Sequence, residues 1–171
     1  TNLNGLAFEQ STDLINWITK IHFLRIANKN QIYFGTKKIA SVFQQRKFYK
    51  EFLFKDFAID YKNYLSKQLL PDCALIHHKK KIIFIIEKKF QSSAGSVDEK
   101  LQTCDFKKKM YTKLTRDTGH KLEFIYLLSD WFEKKEYSDV KKYIKSVGCS
   151  FYFNQLPLET ISLDEDFLKS I

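Results

Sequence analysis

Pro71-Asp72-Cys73-Ala74-Leu75-Ile76-His77-His78-Lys79-Lys80-Lys81-Ile82-Ile83-Phe84-Ile85-Ile86-Glu87-Lys88-Lys89-Phe90 is the stretch that decides the fold: two apolar runs joined by a basic turn. It predicts a β-hairpin with carboxylates at its open end. The second run, Ile82 to Ile86, is apolar at every position, as in a strand covered on both faces in the middle of a sheet. Glu87 and Lys89 then break it. Side chains alternate along a strand, so Glu87 and Lys89 share a face and Lys88 takes the other. With the turn centred on Lys79 and Lys80, Asp72 stands across the ladder from Glu87 on that same face. The turn has no Asn-Gly or Asp-Gly to fix this register, and a slip of one residue would undo it.

Two carboxylates brought together at the end of an apolar sheet repel each other and are poorly solvated, unless a cation sits between them. Magnesium suits the position, because it binds through one or two carboxylates and completes its shell with water and phosphate oxygens. A metal held this way activates water and offsets the charge that builds up in phosphodiester cleavage. Lys89 beside it would orient or deprotonate that water, or neutralise the phosphate. An Asp followed some fifteen residues later by Glu-x-Lys is common in Lys-rich chains, and the plain alternative is a hairpin whose charged end emerges into solvent. The context argues for the site: Pro71 precedes the Asp, and a buried apolar run leads into the Glu.

At these residues the chain resembles the PD-(D/E)XK nucleases, and more particularly the type II restriction endonucleases. Pro71-Asp72 and Glu87-Lys88-Lys89 carry the match, which continues through Phe90-Gln91 and Gly95-Ser96-Val97-Asp98-Glu99-Lys100 and covers the middle and later two thirds of the chain. The resemblance implies an α/β restriction-endonuclease-like core, a mixed sheet flanked by helices in the order α-β-β-β-α-β. It also implies Asp72 and Glu87 as metal ligands, the Lys88 backbone carbonyl as a further ligand, and Gln91 as a neutral donor supporting the site. A glutamate on the first core helix of the family often faces the metal, and Gly5-Leu6-Ala7-Phe8-Glu9 is similar to that element. Glu9 has an equally good plain reading as an acid favouring a helix N-terminus.

The chain of 171 residues is expected to be one domain, residues 1–171, with enough length for a real core. A formal net charge of +9 points to an anionic partner, nucleic acid first and a membrane surface second. No run reaches the about 18 apolar residues of a membrane span, and the first residues do not read as a signal peptide, so a cytoplasmic protein is expected. Cys73, Cys104 and Cys149 are widely spaced and include no Cys-x-x-Cys pair, so they read as small core residues. His77 and His78 lie next to the hairpin turn, too far from the acids to complete a metal site.

Leu6 to about Ala27 reads as the first helix, with Leu14, Ile18, Ile21 and Leu24 at helical spacing. Ile32-Tyr33-Phe34 is a short β-like run before Gly35. Residues 41–70 turn aromatic and basic together, and the Phe48 to Phe52 spacing predicts a helical insertion for DNA recognition or dimerisation. Arg46, Lys47 and Lys50 are its candidate DNA contacts; most of its aromatics read as core. After the hairpin, Ser96-Val97-Asp98-Glu99 fits a capping box that starts a helix running to about Leu114. Its N-terminus, Ser96 included, would present amides to a DNA phosphate. Lys100, Gln102, Lys107 and Lys108 are further candidate phosphate contacts, although a run such as Lys107-Lys108-Lys109 is more often a solvated face. Leu122 to Leu128 predicts a buried strand, Ser138 caps an amphipathic helix that Gly148 stops, and Cys149 to Phe153 is a last strand.

The expectation is therefore a Mg2+-dependent, sequence-specific endonuclease cutting double-stranded DNA. Cutting both strands needs two sites, so a two-fold homodimer is expected, with one subunit of a heteromeric or nicking nuclease as the alternative. A junction-resolving or repair nuclease shares the same site, and a non-catalytic DNA-binding protein shares the fold.

Overall fold

The computed structural model describes residues 3–171. Two short helices, α1 (Leu3–Ser11) and α2 (Leu14–Ile18), lead into three strands, β1 (Leu24–Ala27), β2 (Gln31–Phe34) and β3 (Lys37–Phe43). A π-helical segment, Phe48–Asp56, and a single 3-10 turn, Tyr61–Asn63, separate these from the hairpin β4 (Cys73–His77) and β5 (Ile82–Lys89). Helices α3 (Val97–Lys100) and α4 (Cys104–Thr115) cross to β6 (Lys121–Leu128), and α5 (Ser138–Ser146) crosses to β7 (Ser150–Phe153). The chain closes with α6 (Glu165–Lys169).

The strands form one seven-stranded sheet in chain order. The first five are antiparallel neighbours, whereas β5–β6 and β6–β7 are parallel. Parallel neighbours need a crossover, and α3–α4 and α5 supply the two. The hairpin register pairs Cys73 with Ile86 and His77 with Ile82, so the turn is centred between Lys79 and Lys80 as expected. No glycine fixes it; Lys81 takes the left-handed φ of 52°, and His78 N–H bonds the Ile39 carbonyl at 2.8 Å, which ties the turn to the neighbouring strand.

Both faces of the sheet are covered, which is why β5 needs no polar alternation. Ile83 and Ile85 pack with Tyr111 and Leu114 of α4, Ile144 of α5 and the π-helical aromatics. Phe84 and Ile86 face the other way, toward Leu14 and Ile18 of α2 and Leu156, Ile161 and Leu168 of the C-terminal segment. Burying each such side chain contributes about 1.5–3 kcal/mol.

Several expected boundaries are corrected. The single helix from Leu6 to Ala27 is instead α1, α2 and the strand β1. Asp13 restarts the helix by accepting the Asn16 N–H at 2.8 Å. Leu24 then enters the sheet core while Arg25 is exposed, a period of two that the helical spacing of Ile21 and Leu24 concealed. Ser41 to Phe43 belong to β3, paired with β4, so the insertion proper begins after Phe43. Its helix is a π-helix whose Phe48, Tyr49, Phe52 and Leu53 are buried, with Tyr49 tied to Leu69 through both the backbone carbonyl at 2.7 Å and the N–H at 3.0 Å. The capping box does not form: Ser96 sits at helical φ/ψ with no side-chain bond to the helix. The helix expected from Ser96 to Leu114 is broken by a 3-10 turn at Leu101–Thr103. Ser138 is the first residue of α5 rather than its cap.

Candidate active site

The same register carried one residue outward sets Asp72 against Glu87. Asp72 is fixed there by the chain itself, because the backbone N–H of Lys88 donates to its Oδ2 at 2.8 Å. Gln45, held by its own N–H on the Pro71 carbonyl at 2.9 Å, brings its amide to 3.5 Å from Asp72 Oδ1. The carboxyl of Asp72 is raised above the ordinary aspartate range, first by burial and then by the Glu87 charge, with the Lys88 N–H and Lys89 pulling in the opposite direction. Glu87 is buried at 3% exposure and lies on the Ile83–Ile85 face of the sheet, beneath α4.

Two ammonium groups meet Glu87 on a single oxygen. Lys89 Nζ lies 3.2 Å from Oε2, and Lys107 Nζ reaches the same atom at 2.9 Å. Lys89 also donates to the Lys88 carbonyl at 3.1 Å and stands 6.0 Å from the centroid of the Tyr126 ring. At the open end of the hairpin Lys89 thus bridges Glu87 and the Lys88 carbonyl, Lys107 reaches the same Glu87 oxygen from α4, and Asp72 is held beside them by the Lys88 N–H.

Lys88, on the opposite face, has an almost buried side chain whose ammonium is 3.7 Å from Glu9 Oε2. Glu9 lies in the second half of α1 rather than at its N-terminus, so the dipole reading does not apply; its charge adds to the upward push on Asp72. Gln91 is 7% exposed, and neither its Nε2 nor its Oε1 has a hydrogen-bond partner, while its backbone is braced by Ser129 Oγ at 3.2 Å. An amide buried with both ends unpaired costs about 1–3 kcal/mol. A polar group left in this state is open to an ordered water or a ligand.

These residues compose a centre suited to a hard divalent cation: two carboxylates and the Lys88 carbonyl are oxygen donors, and Asp72 bears the repulsion that a cation relieves. Among the described residues no third His, Cys, Asp or Glu joins them in a metal-binding group. His77 and His78 are engaged elsewhere, with Ser162 O at 3.0 Å and Ser41 Oγ at 2.9 Å.

Residues 22–147 match the family model of the PD-(D/E)XK nuclease superfamily domain. The chain belongs to that superfamily. No curated protein and no solved structure matches it. The mixed sheet with helices on both faces is the restriction-endonuclease-like α/β fold, and Asp72, Glu87 and Lys89 all lie within the matched residues.

The remaining candidates scatter around this candidate centre. Lys47 lines a polar groove together with Asp13, Asn16 and Gln44, and a neighbouring groove shares those three and reaches Asp72. Arg46 and Lys50 line a separate hollow with Tyr49 and Phe54. Ser96 and Lys100 are exposed, Gln102 faces Val140 and Tyr143 of α5, and Lys108 donates to the Gly148 carbonyl.

Sequence reasoning missed Gln45 altogether and read Lys107 only as a phosphate contact. Lys107 had a signal: it falls on the helical stripe of Cys104, Tyr111 and Leu114, all fully buried, where a lysine needs an internal partner. Gln45 had none, since its approach to Asp72 depends on how β3 meets the π-helical segment.

Proposed function

We propose that this chain is a Mg2+-dependent endonuclease that hydrolyses phosphodiester bonds of double-stranded DNA at specific sequences, in the manner of a type II restriction enzyme. The observation that carries the reading is Asp72, pinned by the Lys88 N–H, opposite a buried Glu87 that shares its oxygen with Lys89. Asp72, Glu87 and the Lys88 carbonyl hold the metal. Bound there, Mg2+ lowers the pKa of a coordinated water and offsets charge on the phosphate.

Lys89 exchanges its contact with Glu87 for the attacking water or the phosphate. The buried Gln91 amide donates to the same water or phosphate without adding charge. Glu9 anchors Lys88, and so fixes the backbone whose N–H and carbonyl serve the site. A net charge of +9 suits a polyanion. Cleavage of both strands calls for a homodimer or a partner subunit.

Two unrelated unmethylated plasmids incubated with the purified protein in Mg2+, with an EDTA control, provide the test. Discrete fragments that vanish in EDTA support the proposal. A smear would replace it with a nonspecific or repair nuclease, nicked circles with a nicking subunit, and intact plasmid with a structured-DNA substrate or a non-catalytic binder.

A further inference from the structure

We propose that Lys107 supplies the second cation of this centre, so that the carboxylate pair takes up one divalent ion rather than two. The inference rests on the magnesium reading above and deepens it. Two-metal phosphodiesterases place their ions about 3.5–4 Å apart, with carboxylates between them. Here the matching carboxylate oxygen, Glu87 Oε2, already holds the Lys107 ammonium at 2.9 Å and that of Lys89 at 3.2 Å. A divalent ion shared through that oxygen would stand a few ångströms from a fixed positive charge and be repelled by it.

Lys107 cannot easily withdraw. It arises between Cys104 and Tyr111, both fully buried, and its side chain is only 25% exposed, so the packed face of α4 aims the ammonium at Glu87. It also lacks a carboxylate of its own on that helix: Asp105, the acid nearby, is paired with Lys109 at 2.7 Å. The charges agree. Asp72 and Glu87 are balanced by Lys89 and Lys107, and Glu9 is occupied by Lys88. No third acid joins the pair among the described residues. Two carboxylates and a carbonyl suit one Mg2+, which keeps several waters, and give a second ion little to hold.

The test is equilibrium binding of Mn2+ to the folded full chain, read by the EPR signal of the free ion without DNA, for wild type, Lys107→Met, Lys107→Arg and the exposed control Lys109→Met. Wild type, Lys107→Arg and Lys109→Met are expected to bind one ion per chain. Lys107→Met is expected to take a second ion, or to bind the first at least about tenfold tighter, because a repelling charge has been removed. Circular dichroism confirms that each variant is folded. Two ions on wild type, or identical binding by wild type and Lys107→Met, would overturn the assignment while leaving the metal centre in place. Absence of Mn2+ binding by every folded variant would instead refute the metal reading, and this inference with it.

Discussion

Replacing Asp72 by Asn should make the metal-free protein more stable while destroying its activity. Asn keeps the oxygen that accepts the Lys88 N–H at 2.8 Å, so the local backbone geometry survives. What it removes is a partly buried charge facing Glu87, the two effects that raise the Asp72 carboxyl most. The sign follows from linkage. A carboxyl raised on folding binds protons more readily in the native state, so stability falls as pH rises from the unfolded-state value to the raised native one. The gain in Asp72→Asn is therefore present in full above the native value and disappears below the unfolded one. Relief of strain at functional sites typically contributes about 0.5–2 kcal/mol. A gain of about 1 kcal/mol raises the Tm of a domain of this size by roughly 2–4 °C. Calorimetry in EDTA at pH 7.5 and again near pH 4 reads the effect, and added Mg2+ should reverse the order by stabilising wild type alone. A variant less stable than wild type at pH 7.5 in EDTA would show that the lysines satisfy Asp72 already, and the repulsion argument would fail.

Three further outcomes follow from the same geometry. Lys89→Met should abolish cleavage of plasmid DNA with an unchanged far-ultraviolet spectrum, since its partners Glu87 and the Lys88 carbonyl lie at the site and not in the core; retained turnover would remove it from the mechanism. Lys47→Ala should weaken DNA binding evenly across sequences and reduce the salt slope by about 1, whereas Lys108→Ala, whose ammonium is spent on Gly148, should leave that slope alone; fluorescence anisotropy against salt separates them. Ile85→Ala, at a fully buried position of the central strand, should cost about 2–5 kcal/mol in urea unfolding, and a loss below about 1 would mean that α4 does not pack on that face.

The hairpin was legible because its evidence is local. Five consecutive apolar residues specify a strand covered on both sides, and a register centred between Lys79 and Lys80 follows from where the apolar runs end. Once that register holds, alternation alone puts Glu87 and Lys89 on one face and Lys88 on the other. What depended on packing between distant segments was not legible. Leu24 looks the same at the end of a helix and at the start of an edge strand, and only pairing with Phe34 decides which. Ser96 and Glu99 have the spacing of a capping box, yet the loop enters already helical and leaves no extended residue to act as the cap. The destination of each lysine on α4 was hidden for the same reason: Lys107, Lys108 and Lys109 are adjacent in sequence but end on Glu87, Gly148 and Asp105.

That divergence bears on how the centre works. Two acids at one end of the hairpin need balancing charge, and Lys89 and Lys107 supply it on Glu87 Oε2, an oxygen that the proposed cation would also use. Lys89 holds Glu87 Oε2 and the Lys88 carbonyl together, so the resting lysine marks out part of the ligand set. The quartet of Asp72, Glu87, Lys89 and Lys107 is neutral, and Lys88 with Glu9 forms a second neutral pair behind it. Under the proposed reading, uptake of one divalent ion would turn this neutral centre into a positive one, at the point where the phosphate backbone would dock. Substrate attraction would then be coupled to metal binding: without the ion the quartet offers DNA no net charge, and with it Lys89 would be released from Glu87 toward the incoming phosphate. Metal-dependent DNA binding, beyond metal-dependent cleavage, is the expected consequence, and the affinity of the wild-type chain for duplex DNA with Ca2+ against EDTA measures it directly. Equal affinity in both would mean that the surface lysines alone govern docking.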